Sequence, residues 1–241
     1  MNINYFDEFN MPQKKMTVAQ RKEQIKQLIK ELKAAGQDIE PITLNGKKIA
    51  KSFWGKAWCD NLDNIAEYFS RLKVARNYLR HGAVIDLKIN KNEVSALVSG
   101  SDLYLLKIIF QPLDKYQLAE FKEEINKNIS SAIDLLNGNF SDEVMNVICD
   151  EDYGIFPTEK DLIINCNCPD YTDICKHVAA VMYAIGIKLD DNPEYFFSLR
   201  GVELKDCFSI NNLIDNNNNE DITTKSLSID DAMEMFDIDF E

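Results

Sequence analysis

Four side chains that can bind a transition metal lie within twelve residues of one another in this chain of 241 residues. Cys166 and Cys168 form a Cys-x-Cys pair, and Cys175 and His177 follow as Cys-x-His after a spacer of six residues. Three thiolates and one imidazole complete the tetrahedral ligand set of structural zinc sites, with no position left open for a catalytic water. The sequence therefore predicts one Zn²⁺ that shapes the polypeptide, whereas ordinary buried thiols beside a chance histidine are the alternative.

The other cysteines do not extend this cluster. Cys59, Cys149 and Cys207 lie in apolar contexts without a paired partner nearby, which is typical of inert core thiols. The N-terminus lacks the features of a secretory signal, and no apolar stretch reaches the length of a membrane span. Clustered cysteines in such a chain favour metal binding in a reducing compartment, so we expect a cytoplasmic protein.

Apolar periodicity predicts an α+β fold that is helix-rich with a small antiparallel sheet. Helices are expected over residues 17–36, 53–72, 114–136 and 176–185, with Gly186 ending the last of these, and shorter ones after Ser141 and Pro193. Strands are expected over 83–90, 93–99 and 104–110, the first two joined by a turn at residues 91–92, and over 162–164 at the entrance to the cysteine cluster. The aromatic stripe that includes Trp54 and Trp58 favours a core role over ligand stacking.

The chain divides into four predicted segments. These are an N-terminal arm (1–16), a unit of helices and antiparallel sheet (17–150), a strand-knuckle-helix finger with its following helix (151–208), and an Asn-rich acidic tail (209–241). The tail is expected to be flexible, because it cannot bury enough apolar surface to order itself.

Charge is distributed unevenly along the chain. The net charge of −13 by itself argues against nucleic-acid binding, which depends on Lys and Arg. Residues 14–111, however, carry 18 basic and 10 acidic side chains, a net charge of +8, whereas residues 112–241 carry 9 and 28, a net charge of −19. Any surface that binds a polyanion is therefore expected in the first half.

Basic residues mixed with an aromatic one indicate where nucleic acid could bind, because cations contact phosphates and rings stack on bases. A solvated basic face is the alternative. The predicted nucleic-acid-binding residues are Lys47, Lys48, Lys51, Lys56, Arg71, Lys73, Arg76, Tyr78 and Arg80.

The ligand spacing, followed after His177 by Val-Ala-Ala-Val-Met-Tyr-Ala, resembles a SWIM-type zinc finger over residues 161–188. Residues 52–58 and 76–84 are also similar to the N-terminal region of bacterial SWIM-finger proteins. SWIM fingers occur near Swi/Snf-type helicases, in transposases and in recombination factors, so the resemblance implies binding of DNA or of protein. We expect a non-catalytic nucleic-acid-binding component, with DNA first, of a helicase- or ATPase-associated complex. The rival is a protein-protein interaction adaptor in which zinc only shapes a docking surface.

Enzymatic activity is not expected, and no small-molecule substrate is indicated. Asp86 and Lys88 imitate the acid-x-Lys end of a nuclease metal site, but strand alternation places both on the polar face of a half-buried strand. Neither a nucleophile elbow nor a phosphate loop occurs in the sequence.

The acidic tail leaves three alternatives open. From Asp206 onward it carries ten acidic residues and one lysine, so it could compete with nucleic acid for the basic face or remain merely solvated. It could also dock as a helix whose apolar face is formed by Ile229, Ala232, Met233 and Phe236.

Overall fold

The architecture is α+β, as the sequence predicts. The structure is a computed structural model that describes residues 17–44, 46, 48–65, 69–127, 140–150, 154–170, 172 and 174–203. These all fall within one compact unit, Met1–Cys207, whereas a second unit, Phe208–Glu241, lies outside the described residues. The predicted N-terminal arm (1–16) and the predicted acidic tail (209–241) therefore lie outside the described residues. The flexibility expected of the tail stays a prediction.

The described residues form seven α-helices and one four-stranded antiparallel sheet. The helices are α1 Val18–Ala34, α2 Phe53–Ile65, α3 Phe69–Arg80, α4 Lys115–Lys127, α5 Asp142–Ile148, α6 Lys176–Asp191 and α7 Tyr195–Arg200. The strands are β1 Val84–Asn90, β2 Glu93–Ser99, β3 Leu103–Phe110 and β4 Leu162–Cys166. No helix in the described ranges has both the length and the apolar character needed to cross a membrane.

The sheet follows the order β1-β2-β3-β4, with antiparallel pairing between neighbours. The β1–β2 hairpin turns at residues 91–92, as predicted, and Asn92 adopts a φ of 58°, a left-handed conformation that asparagine tolerates. The predicted strand at 162–164 extends to Cys166 and joins the sheet beside β3, with Ile163 opposite Ile109. The first metal ligand therefore stands at the end of a sheet strand.

The finger helix α6 is the central helix of the fold. Every residue from His177 to Gly186 is buried, and both α2 and α3 pack against this segment. The two tryptophans of α2 are fixed to it, because Trp58 Nε1 donates to the Met182 carbonyl at 2.8 Å and Trp54 Nε1 donates to the Leu189 carbonyl at 2.9 Å. A helix that is apolar on all sides belongs in a core. Strand β4 and helix α6 of the finger thus belong to the same sheet and core as the N-terminal elements. The predicted boundary between the segments 17–150 and 151–208 stays a prediction.

Three helix predictions are compared with the structure. The helix expected over 53–72 is described as α2 and α3, with residues 66–68 outside the described residues, and α3 continues beyond the predicted end to Arg80. The helix expected over 114–136 is described only as α4, because residues 128–139 lie outside the described residues. The expected end at Gly186 is wrong, since α6 continues to Asp191.

Gly186 marks a close helix contact instead of a helix end. A Cβ at this position would lie 2.9 Å from Cys59 Sγ and 3.3 Å from both the Gly55 carbonyl oxygen and Trp58 Cδ1. A Cβ on Gly55 would lie 2.9 Å from the Gly186 carbonyl oxygen. Glycine is therefore needed on both sides of the crossing of α2 and α6, where the two backbones approach each other.

We expect Gly186→Ala to destabilise the protein by about 1–3 kcal/mol, because the added methyl group overpacks the crossing. On propensity alone the same change in a helix interior would stabilise the protein by roughly 0.5–1 kcal/mol. Urea unfolding of the zinc-loaded protein measures the sign directly. A gain in stability would show that the crossing is not tightly packed.

Candidate metal centre

The four predicted ligands come together in space. Cys166 is the last residue of β4. Cys175 is the N-cap of α6, and its Sγ accepts a hydrogen bond from Val178 N at 3.5 Å. His177 lies in the first turn of the same helix. The ligand atoms of Cys166, Cys168, Cys175 and His177 all lie within 4.8 Å of one another. Sheet and helix thus hold the two halves of the motif against each other.

The geometry fits a tetrahedral metal ion. His177 Nδ1 lies 3.8 Å from Cys175 Sγ and 4.0 Å from Cys166 Sγ. Zinc bonds to sulfur of ~2.3 Å and to nitrogen of ~2.0 Å require ligand–ligand distances of about 3.5–3.8 Å in a tetrahedron. The cluster is therefore slightly wider than a closed site, and its soft, thiolate-rich donors are those that zinc prefers.

Burial controls the protonation of these ligands. It lowers the pKa of His177 to about 4, and the field of Lys176 adds to this effect, so that the imidazole is neutral near pH 7. Burial also raises the pKa of the Cys166 thiol to about 12 and raises that of the Cys175 thiol. In the metal-free protein these two groups are thiols, so metal binding must displace their protons.

The imidazole of His177 is held between aromatic rings. Its centroid lies 4.4 Å from that of Tyr104 and 5.4 Å from that of Tyr78. Its Nε2 is buried and has no hydrogen-bond partner among the described residues, while Nδ1 faces the thiols. A Cβ on Gly100 would lie 3.0 Å from Nε2 and 2.5 Å from the Tyr104 ring, so glycine permits this packing.

Arg21 connects α1 to the metal centre, a contact that the sequence did not predict. Its guanidinium donates to the Gly100 carbonyl at 2.8 Å and lies 5.3 Å from the ring centroid of Tyr78, which in turn packs on His177. The basic outer face of α1 was visible in the sequence, but its meeting with Gly100, 79 residues away, was not. No local sequence pattern indicated that Gly100 and Tyr104 pack against His177.

The predicted nucleic-acid-binding residues fall into separate groups. Lys47 lies outside the described residues, and Lys48, Lys51 and Lys56 are exposed near the C-terminal end of α6, where Lys51 N donates to Asp190 Oδ2 at 2.6 Å. Tyr78 is half-buried at the opposite end, against His177. Residues 177 and 190 are separated by about 20 Å of helix at 1.5 Å per residue. The structure therefore does not bring the two ends of the predicted set together.

The basic residues of α3 are divided between internal and exposed positions. Arg71 forms an ion pair with Asp170 of the finger, and Arg76 forms one with Asp63 while lying 5.0 Å from the Tyr183 ring centroid. Tyr183 OH also donates to Asp63, so this group joins α2, α3 and α6. Lys73 and Arg80 remain exposed, outside these ion pairs.

A basic cluster that consists of Arg21, Lys22 and Arg80 surrounds His81. Burial lowers the pKa of His81, and the positive fields of all three side chains lower it further. The cluster joins the N-terminal end of α1 to the C-terminal end of α3, beside the Tyr78 ring that contacts His177.

Comparison with known proteins agrees with the ligand set. Residues 146–186 match the model of the SWIM zinc finger family, a segment that runs from α5 through the four ligands to Gly186. The chain therefore carries a SWIM-type zinc finger, and the resemblance predicted for residues 161–188 is confirmed. The similarity predicted for residues 52–58 and 76–84 stays a prediction. The family and the donor set together support zinc as the bound metal.

One relative extends the similarity beyond the finger. The uncharacterized protein Rv2102 of Mycobacterium tuberculosis (strain ATCC 25618 / H37Rv) is 32% identical over 164 residues. This alignment covers 67% of the present chain and 59% of the relative, so the chain spans less than two thirds of the length of that protein. No solved structure matches the chain significantly.

We expect the purified protein to bind one zinc ion, and Cys168→Ser or His177→Ala to weaken this binding by several orders of magnitude. Zinc in finger peptides contributes roughly 10–16 kcal/mol of apparent binding free energy, so the loss of one ligand has a large effect. Competition with a chromogenic chelator measures the affinity. Cys149→Ala is the matched control and should bind zinc unchanged; equal weakening there would contradict the assignment of ligands.

Zinc affinity should rise with pH between about pH 5 and pH 8, because the metal displaces protons from Cys166 and Cys175. The displaced protons come from thiols whose pKa values are raised, so raising the pH lowers the cost of their release. His177 adds no proton in this range, since its pKa is lowered to about 4. Chelator competition at several pH values tests this, and a flat profile would contradict it.

Proposed function

We propose that this chain binds nucleic acid, with DNA as the first candidate, and performs no catalysis on it. The basic cluster is the observation that carries this proposal. Arg21, Lys22 and Arg80 lie close enough to His81 for their positive fields to lower its pKa, and Arg21 also lies 5.3 Å from the ring centroid of Tyr78 on α3. Phosphate contacts by Lys and Arg supply most of the affinity of proteins for nucleic acid.

The position of the metal centre supports the same proposal. Tyr78 contacts His177 on one side and Arg21 on the other. A metal bound through His177 would therefore hold the ring that orients Arg21 at the edge of the basic cluster. Lys176, whose field reaches His177, adds a further cation at this end of α6.

The resemblance to SWIM-finger proteins extends the proposal to the biological setting. Because such fingers occur near Swi/Snf-type helicases, we assign the chain to a helicase- or ATPase-associated complex. The thiol ligands suit a compartment in which cysteines stay reduced, so we place the protein in the cytoplasm.

A second candidate function is that of a protein-interaction adaptor. The outer face of β3 and β4 exposes apolar side chains. Ile109 and Ile163, which are paired across the two strands, are 36% and 53% exposed, and Leu105, which lies beyond Lys107 on β3, is 63% exposed. Exposed apolar side chains that lie together are typical of surfaces that bind protein. In this alternative zinc shapes the end of β4, and the sheet face forms the contact.

We expect Lys22→Glu combined with Arg80→Glu to weaken DNA binding by more than tenfold and to make the salt dependence less steep by about two phosphate contacts. Fluorescence anisotropy with duplex and single-stranded DNA at several salt concentrations measures both quantities. The matched control is Lys56→Glu, an exposed lysine near the opposite end of α6, which should change the affinity little.

DNA binding that is independent of salt, or equal weakening in the control variant, would contradict a role of the basic cluster. The adaptor is tested separately with the double variant Leu105→Asp and Ile163→Asp. If this variant loses a nuclease-resistant protein partner while Lys22→Glu with Arg80→Glu retains it, the adaptor explains the function better.

A further inference from the structure

Lys48 and Lys51, near the C-terminal end of α6, line a cavity of about 500 Å³. Trp54 lines it together with Lys48, Lys51 and Asp191. This volume falls within the range of small-molecule sites in proteins. The cavity lies some 20 Å along α6 from His177, so it is separate from the basic cluster.

The indole of Trp54 has a fixed orientation. Its only hydrogen-bond donor, Nε1, already donates to the Leu189 carbonyl at 2.9 Å, and the ring of Phe53 meets it edge-on with centroids 5.4 Å apart. The surface that Trp54 can still offer is therefore the aromatic ring itself. An ordered aromatic ring in an open cavity is suited to stacking on a planar group.

Two cations face the same cavity without being neutralised by an ion pair. Lys48 and Lys51 are exposed, and neither ammonium group forms an ion pair with a described residue. Asp190 also lines the cavity, but its carboxylate already accepts from Lys51 N at 2.6 Å and from Ser52 N at 3.1 Å, as well as from Ser52 Oγ. The two ammonium groups remain available to an anionic group of a ligand.

The partial negative charge expected at the C-terminal end of a helix is reduced at the end of α6. The Leu189 carbonyl accepts from Trp54, and the Lys188 carbonyl accepts from Asn192 N at 2.9 Å, so two of the terminal carbonyls have partners. The carboxylate of Asp191 is exposed and bonds to none of the described residues. It can accept hydrogen bonds from hydroxyl groups of a ligand.

We propose that this cavity binds a ribonucleotide. The base stacks on Trp54, the phosphate binds Lys48 and Lys51, and a ribose hydroxyl donates to Asp191. Inorganic phosphate alone would use only the lysines, and a deoxynucleotide would leave Asp191 one donor short. The assignment does not depend on the nucleic-acid binding proposed for the basic cluster.

Tryptophan fluorescence of the full-length, zinc-loaded protein titrated with AMP tests the stacking directly. The chain has two tryptophans, and Trp58 is only 2% exposed in the core, so only Trp54 can stack on a base. We expect saturable quenching by AMP that is absent in Trp54→Phe, whose remaining emission comes from Trp58. The circular dichroism spectrum of this variant should match that of the unsubstituted protein.

The phosphate and ribose contacts are tested by calorimetry with variants of exposed residues, which leave the core unchanged. Lys48→Ala combined with Lys51→Ala should weaken AMP binding about tenfold or more and leave adenosine binding unchanged. Asp191→Ala should reduce the preference for AMP over dAMP from about tenfold to within about twofold. Lys22→Glu with Arg80→Glu should bind AMP like the unsubstituted protein, whatever its affinity for DNA.

Three results would overturn the proposal. The first is the absence of saturable AMP binding. The second is an equal affinity for AMP, dAMP and inorganic phosphate. The third is AMP binding that is lost in the Lys22→Glu, Arg80→Glu variant but kept in the Lys48→Ala, Lys51→Ala variant. Because the DNA assay uses the basic cluster and the AMP assay uses the cavity, the failure of either proposal is visible independently of the other.

Discussion

Burial of α6 on all sides is the constraint on which the rest of the structure depends. Every residue from His177 to Gly186 is buried, and α2, α3 and the sheet pack around this segment. Its N-cap and first turn carry Cys175 and His177, two of the four ligands, and Gly186 further along forms the close contact with α2. Metal centre and hydrophobic core are consequently parts of one packing arrangement.

The ligand set could be predicted from the sequence because its chemistry depends on residue types at short spacing. Cys166, Cys168, Cys175 and His177 need only a strand end and a helix start to meet, and both signals are local. The hairpin at residues 91–92 was predictable for the same reason. Gly186 was misread because a glycine that permits close backbone approach has the same local signature as one that ends a helix.

The surface electrostatics depended on contacts that no local pattern reveals. Arg71 and Arg76 look alike in the sequence as parts of a basic run, yet their partners, Asp170 and Asp63, lie 99 and 13 residues away. In the same way Lys22 and Arg80 act on one histidine because the start of α1 lies beside the end of α3, where Arg21 contacts Tyr78. Charge composition therefore predicts in which half of the chain a basic surface lies, whereas tertiary pairing decides which of its cations remain outside ion pairs.

The position of β4 in the sheet has a consequence for how this protein would fail. Hydrogen bonds from Asn167 N to the Leu105 carbonyl and from Gln111 N to the Asp161 carbonyl fix a register in which the peptide groups of Ile164 face away from β3. Within the described part of the chain this edge has no neighbouring strand, and the outward side chains Ile163 and Asn165 carry no charge to repel one. Cys166 ends this strand, so a metal held there would anchor the C-terminal end of the open edge, and loss of the metal would leave β4 freer to pair with the edge of another chain.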